Sequence, residues 1–353
     1  MSLVKGGKKD DISWFFAGLG LTSIGMAFLG DGKPYLLPTA FLVVALGMLS
    51  IFVRQRTLVV TAFAIATVTA VVNIMTGLPV LTDEEAIILY ASQLFLEGKN
   101  PYLYSMTEAF SIYHVPFNVV TGTTSNSFMP SVYIYPPLSF FSVAVFHNLE
   151  TVDVISAVVT FAYSFLKRRE NLFLASFFLN PALSYDFATG QELNLFAYSL
   201  AFIAIFDERF RYLLLGISAD VKQFAVLIAI LLIKFERQKL RKIAEFALPL
   251  LVSSIPFISK QYLASVITIT QPVAQQGISF SLLTAFGLPI PSFLYTVLQV
   301  ALLAIILLFN NKKELAWGLP ALTWIFSYRD LGYFAFYFAL QYVVWTAEKD
   351  GEV

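Results

Sequence analysis

The sequence predicts an all-helical integral membrane protein that crosses the bilayer about ten times and has additional short re-entrant or interfacial helices. Its 353 residues are 58% hydrophobic and only 13% charged, whereas soluble domains carry about 25% charged residues. Apolar runs of about 15 to 22 residues recur between short charged or Pro/Gly segments, which is typical of membrane-spanning helices. The alternating pattern of about ten residues that marks an outer-membrane barrel does not occur.

The composition also excludes several functional classes. The chain contains no cysteine, so a disulfide scaffold, a zinc–thiolate site and a cysteine nucleophile are excluded. Basic and acidic residues are equal in number, at 23 each, and this balance gives no reason to expect a nucleic-acid partner. Membrane lipids are the expected surroundings, and the sequence identifies no protein partner.

The positions of Lys and Arg orient the chain, since positive charges concentrate in cytoplasmic loops. All but five of the 23 basic residues fall into groups that one topology places on the same side. The exceptions are Lys33, Lys99, Lys222, Lys260 and Arg329. We therefore expect a multi-pass protein of the cell membrane with both termini in the cytoplasm, although the sequence alone does not distinguish this membrane from a reticulum membrane.

Ten spans agree with this orientation. They lie near 12–30, 35–53, 57–79, 151–166, 171–187, 190–206, 243–259, 292–309, 314–328 and 331–347. The first two form an N-terminal hairpin within 1–56, which we interpret as an addition to a membrane core at 57–347, and 348–353 is a cytoplasmic tail. The long segments 80–134 and about 260–291 are then expected outside the membrane.

Two stretches do not fit a simple succession of spans. Residues 212–233 lie between two basic clusters and are too short for two full crossings, and a single span would bury Asp220 and Lys222 near its centre. A hairpin of two short helices with these residues at its inner tip keeps both basic clusters on the same side and avoids burying the charges in a continuous span. A single span is the alternative. Residues 135–149 are expected to form an interfacial or re-entrant helix.

The most informative segment runs from Thr82 to Glu85, just beyond the third span. It has a local explanation, because Thr82 can cap a helix and the three acids that follow it favour the helix dipole. Two further motifs follow on the same side of the membrane. These are Glu-Gly-Lys-Asn-Pro-Tyr at 97–102 and Tyr-Ile-Tyr-Pro-Pro-Leu at 133–138.

Together these motifs resemble the glycosyltransferase C superfamily. More closely, they are similar to polyprenyl-phosphate-mannose-dependent mannosyltransferases, the group that includes the first mannosyltransferase of glycosylphosphatidylinositol assembly and relatives of mycobacterial lipid mannosyltransferases. Further motifs follow in the order of that group: Asn180-Pro181, the turn Thr-Gly-Gln-Glu-Leu-Asn at 189–194, Lys222, and the aromatic last span at 330–345. The likeness covers roughly residues 57–347. The acidic motif is Asp-Glu-Glu where the family has Asp-x-Asp, so either Glu84 or Glu85 is the second acid.

The resemblance implies an inverting glycosyltransferase. It would move a hexose, with mannose the first choice, from a polyprenyl-phosphate donor to a lipid- or glycan-linked acceptor on the extracytoplasmic face. Such an enzyme needs a base that takes the proton of the acceptor hydroxyl and a cation that stabilises the departing phosphate. A partly desolvated carboxylate suits the first role, and we assign it to Asp83 with Glu85 as its partner.

We assign phosphate binding to the few cations expected on the outer side or within the membrane, and sugar or acceptor binding to polar residues of the motifs. Lys222 and Arg329 are the candidates for binding the donor phosphate. The residues expected to bind the sugar or the acceptor are Glu84, Tyr102, Tyr135, Gln191 and Asn194. Structural alternatives stay open: Lys222 can pair with Asp220, Arg329 can pair with Asp330 or anchor at the interface, and the two amides can simply join helices.

The expected chemistry does not require a cofactor. The superfamily sometimes uses a divalent cation at its acidic motif, which leaves a metal there open, whereas His114 and His147 lack a second histidine at helical spacing. The alternative function is a transporter or flippase of lipid-linked sugars, which would show internal repeats and ionisable groups near the midplane. The sequence shows no convincing repeat, and its acids concentrate in an outer segment, so the enzyme is favoured.

Overall fold

The computed structural model describes residues 8–77, 82–115, 133–263, 292–324 and 330–349, and within these ranges the chain forms helices and turns and no strand. The first helices are α1 (Lys8–Gly30), α2 (Leu37–Val53), α3 (Arg56–Met75), α4 (Asp83–Leu96), α5 (Thr107–Ile112), α6 (Pro137–Phe146) and α7 (Leu149–Leu166). They are followed by α8 (Glu170–Leu179), α9 (Ala182–Thr189), α10 (Asn194–Phe206), α11 (Arg211–Val221), α12 (Phe224–Ile233), α13 (Lys239–Ser254), α14 (Ser292–Phe309) and α15 (Asp330–Lys349).

Four described segments are long and apolar enough to cross a membrane, judged by length and composition. They are Ile12–Gly30, Pro34–Val53, Arg56–Met75 and Leu149–Leu166. Other apolar helices are shorter, such as α10 with 13 residues, which rises about 20 Å against a hydrocarbon core of about 30 Å. The predicted helical class and its apolar membrane helices are confirmed to this extent, and the number of ten spans stays a prediction.

The prediction of one continuous span at 171–187 is wrong. Helix α8 ends at Leu179 and α9 begins at Ala182. Pro181 has no backbone N–H to donate, and its ring disfavours helical backbone at the residue before it. Asn180 accordingly has φ −134° and ψ 87°, and the chain changes direction here.

The span predicted at 314–328 is also wrong over its described part. Residues Lys313–Trp317 and Leu319–Trp324 form two short 3-10 helices instead of one α-helix. Gly318 lies between them, and Pro320 follows at the start of the second. Such residues interrupt a regular α-helix, and the tighter 3-10 turn is used in short pieces. The other predicted spans coincide with helices whose ends differ by a few residues.

The predicted hairpin within 212–233 is confirmed, and the single-span alternative is wrong. Helices α11 and α12 are separated by Lys222 and Gln223. The short helix expected within 135–149 is α6, which ends at Phe146 and is followed by His147 in left-handed backbone with φ 68°. Both short elements place polar residues at a chain reversal and not in the middle of a continuous span.

The N-terminal hairpin packs directly on the rest of the bundle. Gly20 of α1 lies so close to the carbonyl of Leu174 in α8 that a Cβ atom there would overlap it. Gly18 and Gly25 approach α2 in the same way. Small residues allow helix backbones to come into contact in a membrane protein, so α1 is held between α2 and α8.

Candidate functional site

Lys222 lies in a buried position between two carboxylates. Its side chain is only 6% exposed, and Nζ lies 2.6 Å from Glu84 Oε1 and 3.1 Å from Glu192 Oε2. The rings of Tyr135 and Phe224 lie 5.6 and 6.0 Å from the ammonium nitrogen. Transfer of an ammonium out of water is costly unless opposite charges face it. The two glutamates supply that charge.

The reversal between α11 and α12 brings Lys222 to this position. The helical backbone stops at Val221, and Lys222 is extended with φ −142° and ψ 133°. The side-chain amide of Gln223 donates a hydrogen bond to the carbonyl of Ile134 at 3.3 Å. This bond joins the tip of the hairpin to the segment that carries Tyr135.

The acidic motif forms the first turn of α4. The Thr82 hydroxyl accepts a hydrogen bond from the Glu85 N–H at 3.1 Å and donates one to the carbonyl of Gln191 at 2.8 Å. Asp83 Oδ1 accepts from the Glu84 N–H at 2.9 Å. The predicted cap is therefore confirmed. The three acids Asp83, Glu84 and Glu85 are 8%, 5% and 2% exposed, so the motif is buried and its first member is the most accessible.

The two aromatic motifs meet beside this turn. The Tyr135 hydroxyl donates to Glu84 Oε2 at 2.9 Å, so one oxygen of Glu84 faces Tyr135 and the other faces Lys222. The Tyr102 hydroxyl donates to the backbone carbonyl of Tyr135 at 2.7 Å. Its ring lies edge-on to that of Tyr133, with centroids 5.4 Å apart. Tyr102 thus holds the backbone that presents Tyr135.

The turn between α9 and α10 provides the second carboxylate. Gly190 ends α9 in left-handed backbone with φ 61°, and the backbone of Glu150 occupies the space that a Cβ atom would need. Glycine is the residue that accepts both conditions. Two residues later Glu192 reaches Lys222, and Asn194 Nδ2 donates to Glu192 Oε2 at 2.6 Å. Asn194 therefore orients the carboxylate.

Charge is unbalanced within this cluster. Glu84 and Glu192 carry two negative charges against the single positive charge of Lys222. Burial raises the pKa of Glu84 to about 7, and the charge of Glu192 raises it as well, whereas Lys222 and the hydrogen bond from Tyr135 lower it. Glu84 therefore exchanges its proton near neutral pH, unlike a carboxyl group in water.

Two further buried acids contact the first turn of α10. Asp186 Oδ2 accepts from the N–H of Leu195 at 3.2 Å, and Asp153 Oδ1 accepts from the N–H of Phe196 at 3.0 Å. The first N–H groups of a helix have no partner within it, and its N-terminus favours negative charge. These acids hold the start of α10, and with it Asn194, against α7 and α9.

The structure brings together most residues that the sequence singled out. Those that contact one another around Lys222 are Glu84, Tyr102, Tyr135, Gln191 (through its backbone) and Asn194, with Asp83 and Glu85 in the same helical turn. Arg329 lies outside the described residues. The alternative pairing of Lys222 with Asp220 is wrong, because Lys222 pairs with Glu84 and Glu192. The carboxylate of Asp220 lies near Ser253 and the backbone of Leu138 instead.

Sequence reasoning missed three acids. Glu192 is part of the turn motif but had no assigned role, and Asp153 and Asp186 were not singled out. A signal existed for the last two, because an isolated acid in an apolar helix is costly unless it has a partner. For Glu192 no local signal distinguishes it from an ordinary loop acid.

A divalent cation does not fit at Glu84. An ammonium nitrogen 2.6 Å from its Oε1 opposes the approach of a second cation. Within the described residues no group of three or more histidines, aspartates or glutamates is arranged to hold a metal ion. The chemistry of this cluster is that of carboxylates, an ammonium and phenol groups.

Comparison with protein-family models, curated proteins and solved structures gives no match for this chain.

Proposed function

We propose that the chain is an integral-membrane inverting glycosyltransferase of the glycosyltransferase C type. It moves a hexose, with mannose favoured by the sequence likeness, from a polyprenyl-phosphate donor to a lipid- or glycan-linked acceptor on the extracytoplasmic face. The fold would then have about ten spans with both termini in the cytoplasm. One observation supports this most directly: the acidic motif, the Tyr-x-Tyr motif, the Gly-Gln turn and Lys222 meet in one buried cluster.

The proposed reaction is a single displacement. The acceptor oxygen attacks the anomeric carbon while the bond from that carbon to the phosphate oxygen breaks. The proton of the acceptor hydroxyl passes to a carboxylate, and the bonding electron pair stays on the polyprenyl phosphate, which gains one negative charge. Asp83 suits the role of base because it is the most exposed of the three acids. Glu85 lies in the same turn and supports it.

Lys222 would stabilise the departing phosphate. A fixed cation in a water-poor site interacts with developing charge far more strongly than it would in water. Glu84 competes for the same ammonium in the resting protein. With a pKa of about 7, Glu84 is protonated in part of the molecules at neutral pH, and in these molecules the ammonium can turn to phosphate. Arg329 remains the second proposed phosphate ligand.

Sugar transfer in membranes tests the proposal. Wild type, Asp83→Asn and Glu97→Gln receive polyprenyl-phosphate mannose and a panel of lipid and glycan acceptors. Glu97 follows the opposite end of α4 and has 41% of its side chain exposed, so its variant is the matched control. We expect transfer by wild type and by the control, and a loss of about 10²- to 10⁴-fold in Asp83→Asn.

The possible results test separately whether the protein is a glycosyltransferase and whether Asp83 is its base. If Asp83→Asn transfers mannose at the wild-type rate, the protein is still a glycosyltransferase, but Asp83 is not the base and Glu85 becomes the candidate. If wild type neither transfers mannose nor binds the donor, while the protein is folded, the enzyme proposal is refuted.

A transporter or flippase of lipid-linked sugars is the second candidate. Its support is that Asp153, Asp186 and Asp220 are 0%, 2% and 1% exposed within helices, as expected for ionisable groups along a transport path. Proteoliposomes that contain a fluorescent polyprenyl-phosphate sugar distinguish the two functions. Movement of the lipid between leaflets without a glycosylated product would favour the transporter.

A further inference from the structure

Asn73 lies near the end of α3, fully buried, and uses every hydrogen-bonding position of its amide. Its Nδ2 donates to the carbonyl of Ala188 at 2.8 Å and to Asp31 Oδ2 at 3.2 Å. Its Oδ1 accepts from Lys33 Nζ at 2.9 Å and from the Tyr35 hydroxyl at 3.3 Å. A flipped amide would turn N–H donors towards the Lys33 ammonium, so the partners determine its orientation.

These four bonds connect two turns that are distant in the sequence. Asp31, Lys33 and Tyr35 belong to the turn between α1 and α2. Ala188 belongs to the last turn of α9, directly before the segment 189–193 that carries Glu192. Asn73 therefore joins the N-terminal hairpin to the site by way of a single amide.

Asn73 holds the chain at Ala188, directly before the segment 189–193, whose Glu192 is also bound by Lys222 and Asn194. Thr82 binds the carbonyl of Gln191, and Gly190 packs against the backbone of Glu150. The contact from Asn73 reaches a backbone carbonyl in the interior, and a buried carbonyl that loses its donor is costly. Removal of this contact therefore favours movement of the segment away from α3.

We propose that Asn73 is a positioning residue for Glu192, and through Glu192 for Lys222, so that the N-terminal hairpin is a working part of the site. The hairpin acts by orienting Asn73, since Lys33 and Tyr35 hold its oxygen and Asp31 binds its amide group. The effect of Asn73 on the position of the segment 189–193 does not depend on any reaction. Its consequence for phosphate binding rests on the proposed function.

Thiol labelling tests the position of the segment without any assay of activity. The natural chain has no cysteine, so Gln191→Cys creates a single thiol at a half-buried position. In detergent-solubilised protein, Asn73→Ala is expected to raise the rate of maleimide labelling about fivefold, the factor that corresponds to one lost hydrogen bond. Lys33→Met is expected to raise it by a smaller factor, and it tests the hairpin with a milder change if Asn73→Ala does not fold.

Thr69→Val is the matched control. Thr69 is buried in the same helix, and its hydroxyl bonds to the carbonyl of Ile65 within that helix at 2.8 Å. Labelling should stay at the reference rate in this variant. The proposal is overturned if Asn73→Ala labels no faster than the reference, or if Thr69→Val labels as fast as Asn73→Ala. An unchanged rate in Lys33→Met overturns the role of the hairpin.

The transfer assay gives the second measurement. Asn73→Ala should raise KM for the donor about fivefold and change kcat by less than about twofold, because Glu192 would position Lys222, Lys222 would bind the donor phosphate, and Asp83 would take the proton. An unchanged KM beside faster labelling overturns the link to Lys222. If wild type itself shows no transfer, the proposed function fails and the labelling result still decides the role of Asn73.

Discussion

Lys222→Met removes the cation between Glu84 and Glu192 and keeps a side chain of similar length. Lys222 and Glu84 are only 6% and 5% exposed, so water does not screen the loss. Removal of one partner from a buried ion pair costs about 3–5 kcal/mol, which is a large part of a typical unfolding free energy of about 5–15 kcal/mol. We expect a decrease in Tm on the order of 5–10 °C at pH 8.

The decrease should become smaller in acid. Burial raises the pKa of Glu84 from 4.5 to about 7, and loss of the Lys222 charge raises it further. Between the unfolded and the folded pKa the folded state binds more protons than the unfolded state, so the free energy of unfolding falls as pH rises through this window. The difference between Lys222→Met and wild type is therefore greatest above pH 7 and least near pH 5.

Thermal unfolding in detergent, followed by the fluorescence of the four tryptophans, measures this effect. Lys99→Met is the control, because Lys99 pairs with Glu97 at the surface and such pairs contribute little. Addition of Glu84→Gln to Lys222→Met should restore most of the lost Tm at pH 8, since it removes one unpaired charge. Equal Tm values for Lys222→Met and Lys99→Met at pH 8 would refute this explanation of the cluster.

Three further predictions follow from the same contacts. Tyr135→Phe removes a hydrogen bond that lowers the pKa of Glu84, so Glu84 should titrate at higher pH in this variant. Infrared difference spectra measure this from the carboxyl band of Glu84, which is identified as the band that Glu84→Gln lacks. Gly190→Ala should destabilise the fold by at least about 1–3 kcal/mol, the cost of left-handed backbone at an alanine. Its φ is 61°, and the overlap of the new Cβ atom with Glu150 adds to this cost; thermal unfolding measures the total. Thr82→Ala should cost about 0.5–2 kcal/mol through loss of the cap, measured in the same way.

Elements that depend on local signals could be predicted from the sequence. The start of α4 was predicted correctly because an N-cap involves residues within a single turn. The reversal at Lys222 was predicted because a charged tip is costly inside a continuous span. The break at Asn180-Pro181 had an equally local signal in its proline, but the length of the apolar run favoured one continuous helix.

Pairings between distant residues could not be predicted. Lys222 meets a carboxylate 30 residues earlier in Glu192, and no periodicity of the sequence encodes that contact. The order of the motifs suggested a shared side of the membrane for Glu84 and Tyr135, but not that a hydrogen bond joins them. The burial of these groups depends on how α4, α6 and the α9–α10 turn pack, and packing is a property of the assembled helices.

The shortness of α10 has a consequence for the surrounding lipid. This helix has 13 residues from Asn194 to Phe206 and rises about 20 Å, about 10 Å less than the hydrocarbon core of an average bilayer. In the proposed topology Phe206 lies at the cytoplasmic boundary, and Asn194 and the carboxylate it holds would then lie below the level of the outer headgroups. Under the proposed function, a local thinning of the membrane or a wet depression in the protein surface would bring polar substrates to that depth. Under the same proposal, the acyl-chain length of the surrounding lipid would affect access to Lys222.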